Sequence, residues 1–325
     1  MAEPTTIASV DAAARPLKWG VLGTGRIARK LLTAIQKVDA AQAWAVASRK
    51  ADRARQTADE FAAPRGYTYD DLVNDPEVEV VYNSLPNALH AEWTIRLLEA
   101  GKHVLSEKPF SATVWEAEEM MRAARTNNVL LMEAFMYRFH PQWRRVEEIV
   151  RSGHIGTVRF IRSAFMFRMD NFEDIRFSAP LAGGALMDVG CYCVNFSRYI
   201  ASLENPGTEP VAVYAAANFH ANDDGSPGVD ETLAGTLRFP AGVLAQFVCS
   251  LRMPGGVMGE IVGDRGKIEI AHPWLGGNPP KITVTTGGTT SVEEIPEADN
   301  YAAEVAHFCD CILHGTPLLL PPEDA

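Results

Sequence analysis

Leu17-Lys18-Trp19-Gly20-Val21-Leu22-Gly23-Thr24-Gly25-Arg26-Ile27-Ala28 decides how the first half of this chain is read. The apolar run Leu17–Leu22 predicts a short buried strand, and the glycines that follow predict a tight turn. Ile27, Leu31, Ile35 and Val38 then recur at helical spacing, so a helix begins at once. Strand, glycine turn and helix in this order suit a dinucleotide. Gly23 makes the turn, Gly25 lets the backbone approach a pyrophosphate, and the helix N-terminus faces the anion. Alanine takes the third glycine position at Ala28, while Thr24, Arg26 and Ile27 complete the expected cofactor contacts.

The next strand, Ala43–Ser48, ends about 20 residues past the turn, where the adenosine ribose of a dinucleotide lies. An NAD site wants Asp or Glu there. Ser48-Arg49-Lys50 stands in that place and suits a 2′-phosphate, so NADP is expected over NAD. Strand Val78–Asn83 leads through Leu85 and Asn87 into a helix over Ala88–Ala100. Asn87 is expected to cap that helix, and His90 lies in its first turn, beside a nicotinamide or in a structural role. After Gly101-Lys102 comes Val104-Leu105-Ser106-Glu107-Lys108-Pro109-Phe110. Proline has no N–H to give a ladder, so Glu107 and Lys108 fall at the end of a central strand, where open α/β sheets bind ligands. Thr113 and Glu116 form a capping box at the start of another helix. Strand Val129–Ala134 ends in the aromatic and basic cluster Phe135–His140, with Tyr137 and Arg138 as candidate substrate contacts. Pro141 then opens a helix to Arg151. Regular strand–helix alternation predicts an α/β Rossmann fold with a doubly wound parallel sheet.

From Gly156 the pattern changes. Long alternating strands are predicted over Thr157–Phe167, Val211–His220, Glu231–Phe239 and Val243–Met253, with shorter ones at Gly259–Gly263, Lys267–Ala271 and Ile282–Thr285. They describe an α+β domain with a large open, mostly antiparallel sheet. Phe165 and Arg168, at the end of the first of these strands, are candidate substrate contacts. One helix, Ala185–Ile200, follows Gly183-Gly184 and carries the stripe Leu186, Val189, Cys193, Phe196 and Ile200. Off that stripe Asp188 and Tyr192 form an i,i+4 pair on one helix face. The expected division is a loose arm over 1–16, a dinucleotide domain over 17–138 and a substrate-binding and oligomerisation domain over 139–325.

The balance of charge is acidic, −11 from 30 Lys+Arg and 41 Asp+Glu, which argues against nucleic-acid and anionic-membrane partners. No apolar run reaches the ~20 residues of a membrane helix, and the first 16 residues lack a basic-then-apolar signal pattern. The cytoplasm is the expected location, ahead of the periplasm. Cys191/Cys193 and Cys309/Cys311 are C-x-C pairs in helix-like segments. Residues i and i+2 of a helix diverge by about 200°, so neither pair is expected to grip a metal, and reduced buried thiols are the expectation.

Taken together, Gly23-Thr-Gly-Arg-Ile-Ala28, Leu85-Pro-Asn-x-x-His90, Gly101-Lys-His-Val-Leu-Ser-Glu107-Lys108-Pro109 and Gly183-Gly-Ala-Leu-Met-Asp188-Val-Gly-Cys-Tyr192 resemble the glucose–fructose oxidoreductase / inositol dehydrogenase (Gfo/Idh/MocA) family over roughly residues 17–320. Tyrosine rather than histidine at 192 resembles the branch with dimeric dihydrodiol dehydrogenase, NADP-dependent xylose dehydrogenase and glucose–fructose oxidoreductase. The resemblance implies that Lys108, Asp188 and Tyr192 gather around the nicotinamide and that a cis peptide often precedes Pro109. Two features depart from the family. The N-terminal stretch lacks the twin arginine of the exported glucose–fructose enzyme. The chain also stops at Pro321-Pro-Glu-Asp-Ala325, where the family usually begins one more helix, so either the sequence is short of that helix or something else covers that surface.

The chemistry expected is hydride transfer between NADP and a carbinol carbon of a cyclic sugar (aldose C1) or related diol. A free tyrosine titrates near ~10 and is too weak a base. A lysine ammonium about 4 Å away adds on the order of 4 kcal/mol, roughly three pKa units. Tyr192 is therefore the expected proton-transfer group, Lys108 its electrostatic partner and hydroxyl anchor, and Asp188 the orienter. An aldose–aldose oxidoreductase that retains its cofactor and a non-catalytic dinucleotide-binding regulator are the alternatives. Finally, alternation in the long strands places apolar residues on both sheet faces. Val211, Val213, Ala215, Ala217 and Phe219 form one set, and Ala212, Tyr214 and Ala216 the other. Exposure of such a face predicts a homodimer or homotetramer.

Overall fold

A computed structural model describes residues 15–221 and 225–325. Most of the expected N-terminal arm, and part of the turn Asp223-Asp224-Gly225, lie outside the described residues. The chain divides into two units, residues 15–136 with Tyr301–Ala325, and Tyr137–Asn300.

In the first unit, strands β1 (Leu17–Leu22), β2 (Ala41–Ala47), β3 (Arg65–Tyr67), β4 (Val80–Asn83), β5 (His103–Glu107) and β6 (Leu131–Ala134) alternate with helices α1 (Arg26–Ile35), α2 (Ala51–Glu60), α3 (Tyr69–Asn74), α4 (His90–Glu99) and α5 (Val114–Asn127). All strand pairs are parallel, in the order β3-β2-β1-β4-β5-β6. The chain winds out from β1 to one edge and then to the other, so the reversal of strand order falls beside the glycine turn. Buried Leu22, Val81, Val104 and Leu131 meet Leu97 and Leu98 of α4 and Met120 of α5 on one face. Thr113 and Glu116 cap α5 reciprocally, as their spacing predicts.

The second unit holds α6 (Pro141–Arg151), β7 (Val158–Met166), α7 (Cys191–Glu204), β8 (Ala212–Ala221), β9 (Pro227–Arg238), β10 (Leu244–Ser250), β11 (Gly256–Gly263), β12 (Gly266–Ile270), β13 (Lys281–Thr286) and β14 (Thr289–Glu294). They form one sheet ordered β14-β13-β12-β11-β7-β10-β9-β8, antiparallel except between β10 and β7. The register puts Ile161, Ala245, Leu237, Ile261, Ile268 and Val284 on one face, and all are buried. Phe196 of α7 and Trp143 of α6 pack at 5.5 Å on that side. The opposite face mixes exposed Leu244 and Tyr214 with an ion-pair row, Arg162–Glu260–Lys267–Glu269.

Several expectations need correction. Helix α8 (Asn300–His314) crosses back, and from Tyr301 the chain belongs to the first unit, where Phe308 meets Trp19 at 6.1 Å. The expected domain over 139–325 therefore ends at Asn300. β3, α3 and β14 are only three to six residues long, too short to show a period, and the sequence reading missed them. Gly66 in β3 lies so close to α2 that a Cβ would stand 2.5 Å from the Arg55 Cα. The expected helix Ala185–Ile200 opens as a wide π-type turn, Leu186–Gly190, before α7 begins. Asn87 does not precede its helix. It begins a 3₁₀ turn, Asn87–Leu89, that runs into α4.

Candidate functional site

In the first unit the candidate residues line the carboxyl ends of β1, β2, β4 and β5. Gly23 has φ +100°, in the left-handed region, and a Cβ there would stand 2.7 Å from the Ser84 hydroxyl. Gly25 differs: an added Cβ would meet no protein atom within 4 Å. The space before Gly25 is open, the first turn of α1 holds no acidic residue, and Arg26 is exposed beside it. Such a cradle of backbone N–H groups fits a pyrophosphate. Thr24 and Ile27 flank the turn half-buried, and Ala28 is fully buried against the sheet, which explains a small residue there. At the end of β2, Ser48 is buried and its hydroxyl accepts the Lys50 N–H at 3.4 Å, while Arg49 and Lys50 are exposed.

His90 is fully buried, with Nδ1 2.8 Å from the Pro109 carbonyl oxygen and Nε2 2.8 Å from that of Leu85. Burial lowers its pKa against the pull of the two carbonyls. A neutral imidazole donates to only one carbonyl at a time. One ring nitrogen therefore donates while the other faces the second carbonyl, and the ring sits enclosed between the loops after β4 and β5. The Lys108–Pro109 peptide is cis. Glu107 is buried, accepts the Tyr82 hydroxyl on Oε1 and takes the Lys108 N–H at 3.2 Å on Oε2. Lys108 itself is half-buried at the strand's end.

In the second unit the chain between β7 and α7 brings Asp188 to Arg176, whose Nε lies 2.6 Å from Oδ2. Arg176 also pairs with Asp174 at 3.1 Å. Burial opposes the guanidinium charge, but the Asp188 and Asp174 carboxylates reverse this and raise its pKa. The two glycines before Asp188 have separate tasks. A Cβ at Gly183 would collide with the Arg176 carbonyl oxygen, and one at Gly184, φ +113°, would strike the Asp230 carboxylate. Asp230 in turn accepts the Leu186 N–H at 2.7 Å, and burial holds its carboxyl above the usual range. Tyr192 is buried on α7 with its ring 5.5 Å from Phe165, 5.6 Å from Trp274 and 5.7 Å from Tyr137. Phe165 stacks on Trp274 at 5.9 Å with planes 12° apart.

The remaining expected substrate contacts are placed differently. Tyr137 is fully buried and gives its hydroxyl to Asn195 Oδ1 at 2.5 Å, so its ring packs on Tyr192 with its hydroxyl already engaged. Arg138 lies 3.5 Å over the Tyr199 ring, and Arg168 is exposed and paired with Asp170 at 3.0 Å. Sequence reasoning missed Arg176, Asp230 and Trp274. Arg176 and Asp230 carry no motif of their own, and Trp274 lies 82 positions from Tyr192. All five cysteines are free thiols, four of them buried, and burial pushes the Cys193 thiol up to about 12.

Among the described residues no helix is long and apolar enough to cross a membrane. Comparison with known proteins gives two family matches: an oxidoreductase family NAD-binding Rossmann fold over residues 17–135, and a GFO/IDH/MocA C-terminal domain over residues 143–269. D-xylose 1-dehydrogenase (NADP(+)) 2 of Haloferax volcanii is 36% identical over 304 residues, covering 92% of this chain and 90% of that protein. Trans-1,2-dihydrobenzene-1,2-diol dehydrogenase of Mus musculus is 33% identical over 79% of this chain and 75% of its own. The crystal structure of KijD10, a 3-ketoreductase from Actinomadura kijaniata in complex with NADP and TDP-benzene, superposes with a TM-score of 0.86 at 29% identity, over 95% of this chain and 93% of that one. Two matched domains, a cofactor cradle that fits a dinucleotide and relatives named dehydrogenases and reductases lead to one conclusion: the chain belongs to the Gfo/Idh/MocA family of NAD(P)-dependent oxidoreductases acting on CH–OH groups.

Proposed function

We propose that this protein is an NADP-dependent dehydrogenase acting on the carbinol carbon of a cyclic sugar, aldose C1 foremost, or of a related diol. The observation that carries the reading is Tyr192, an ionisable hydroxyl whose ring is held by Phe165, Trp274 and Tyr137. Aromatic faces suit the C–H faces of a sugar, and a fixed ring aims its hydroxyl. The bound nicotinamide supplies the hydride acceptor, or the donor in the reverse direction. Tyr192 takes the hydroxyl proton as the carbinol C–H bond gives up its hydride, and returns it when the reaction reverses. Lys108 is the proposed hydroxyl anchor and electrostatic partner, and Asp188, fixed by Arg176, the proposed orienter. Exposed Arg49 and Lys50 take the 2′-phosphate, which favours NADP over NAD.

The test is nicotinamide absorbance across a panel of aldoses, ketoses and diols with NADP and NAD in parallel. Turnover of one or more aldoses or diols with a lower KM for NADP is expected, and Arg49→Glu should erase that preference. Equal KM values, or a preference unmoved by Arg49→Glu, would overturn the cofactor assignment. Cofactor that stays with the purified protein and is reduced and reoxidised by two sugars would instead identify an aldose–aldose oxidoreductase. The same reading includes self-association through the sheet face that exposes Leu244 and Tyr214, at 42% and 68%, beside the ion-pair row Arg162–Glu260–Lys267–Glu269. Light scattering is expected to give twice or four times 35.5 kDa, and a monomer mass would refute it.

A further inference from the structure

Glu304 is the residue of the first unit whose chemistry is least accounted for. It lies on α8, is fully buried, and neither carboxyl oxygen has a hydrogen-bond partner among the described residues. Sheet register places Tyr82, Leu105 and Glu107 on the face that α8 covers, with Trp19. The charge that Glu304 meets is that of Glu107. Tyr82 of β4 and Tyr301 of its own helix are the other titratable groups of this cluster, and Lys30 of α1 lies 5.6 Å over the Tyr301 ring. Two buried carboxyls at one sheet face that repel each other hold one negative charge between them at neutral pH. Glu107 keeps it, because the Tyr82 hydroxyl and the Lys108 N–H both donate to it. Glu304, with no donor aimed at it, is left with the proton.

We propose that Glu304 is a neutral carboxylic acid beside an ionised Glu107, and that it is a positioning residue for Lys108, keeping a single negative charge on the two carboxyls behind the Glu107–Lys108 turn. The proposal rests on the reading of Lys108 as a catalytic group for its second half only. Burial raises Glu304 well above its unfolded value, so the folded protein holds a proton that the unfolded chain releases. Stability from this group is therefore complete below the unfolded carboxyl range, near ~4.3, and declines as pH rises toward the folded value.

The experiment compares the full-length protein with E304Q and E304L. In urea unfolding from pH 5.5 upward, the unfolding constant of wild type is expected to rise with pH relative to that of E304Q. The slope approaches about tenfold per pH unit, one proton's worth, until the folded group itself titrates. An infrared difference spectrum against E304Q should show the carbonyl stretch of a protonated carboxylic acid at pH 7. Parallel pH dependence, with no such band, would overturn the proposal whether or not any sugar is turned over. For the positioning role, E304L is expected to lower kcat about tenfold with KM for NADP unchanged, and E304Q, which keeps a donor, to restore it. Wild-type kcat in a folded E304L would refute positioning and leave the proton-holding result standing on its own measurement.

Discussion

An added Cβ at Gly25 would meet nothing, whereas at Gly183 it would collide with the Arg176 carbonyl oxygen. Both glycines belong to family motifs, yet one keeps space open and the other fills it. In the proposed reading the first unit meets its cofactor with backbone: a turn, a helix N-terminus and an uncrowded approach. In the same reading the second meets its substrate with side chains, the four rings of Tyr137, Phe165, Tyr192 and Trp274 packed on one another. A site made of backbone tolerates many neighbours but no added bulk. A site made of packed rings depends on every ring that supports it.

The sharpest way to break this contrast is to remove chemistry from each unit separately. Lys108→Met and Tyr192→Phe are each expected to lower kcat by at least ~10²-fold while NADP binding stays near normal, as for a lost proton-transfer group. Stopped-flow binding beside steady-state rates checks this, and near-normal turnover in Tyr192→Phe would remove that residue from the mechanism. His90 is no replacement, since both its nitrogens face carbonyls. Next in size, Gly183→Ala should destabilise the protein by about 2 kcal/mol through overpacking, read as a shifted urea midpoint at constant slope. Gly25→Ala should leave that midpoint unchanged and raise KM for NADP roughly tenfold, because the methyl occupies only the approach to the turn. A destabilised Gly25→Ala or a stable Gly183→Ala would erase the distinction. The smallest effect belongs to Tyr137→Phe, which strands the Asn195 oxygen and should cost about 1 kcal/mol of stability with sugar KM little changed.

The same contrast governs what could be read in advance. Gly23, Gly25, Glu107 and Lys108 are adjacent to strand ends in sequence, so local patterning places them, and the parallel sheet follows from strand–helix alternation. Arg176 and Trp274 reach Asp188 and Tyr192 only through the tertiary fold, and no local period marks either. Tyr137 was legible as an aromatic near a strand end, but its bond to Asn195 spans 58 positions. The short β3 and polar β14 lack the length or alternation that would reveal them, and α8 carries a helical pattern without any sign of which sheet it covers.

The return of α8 bears on how the protein is made. A ribosome releases β1 to β6 long before Tyr301–Ala325, which complete the same unit. At ~5–20 residues per second, the intervening stretch takes about 8–33 s to emerge. Until then Trp19 and Tyr82, both fully buried in the finished protein, lack the helix that meets them. The N-terminal unit therefore cannot mature before the one inserted within it, and the nascent chain passes through an interval of apolar exposure in which holding chaperones have their target.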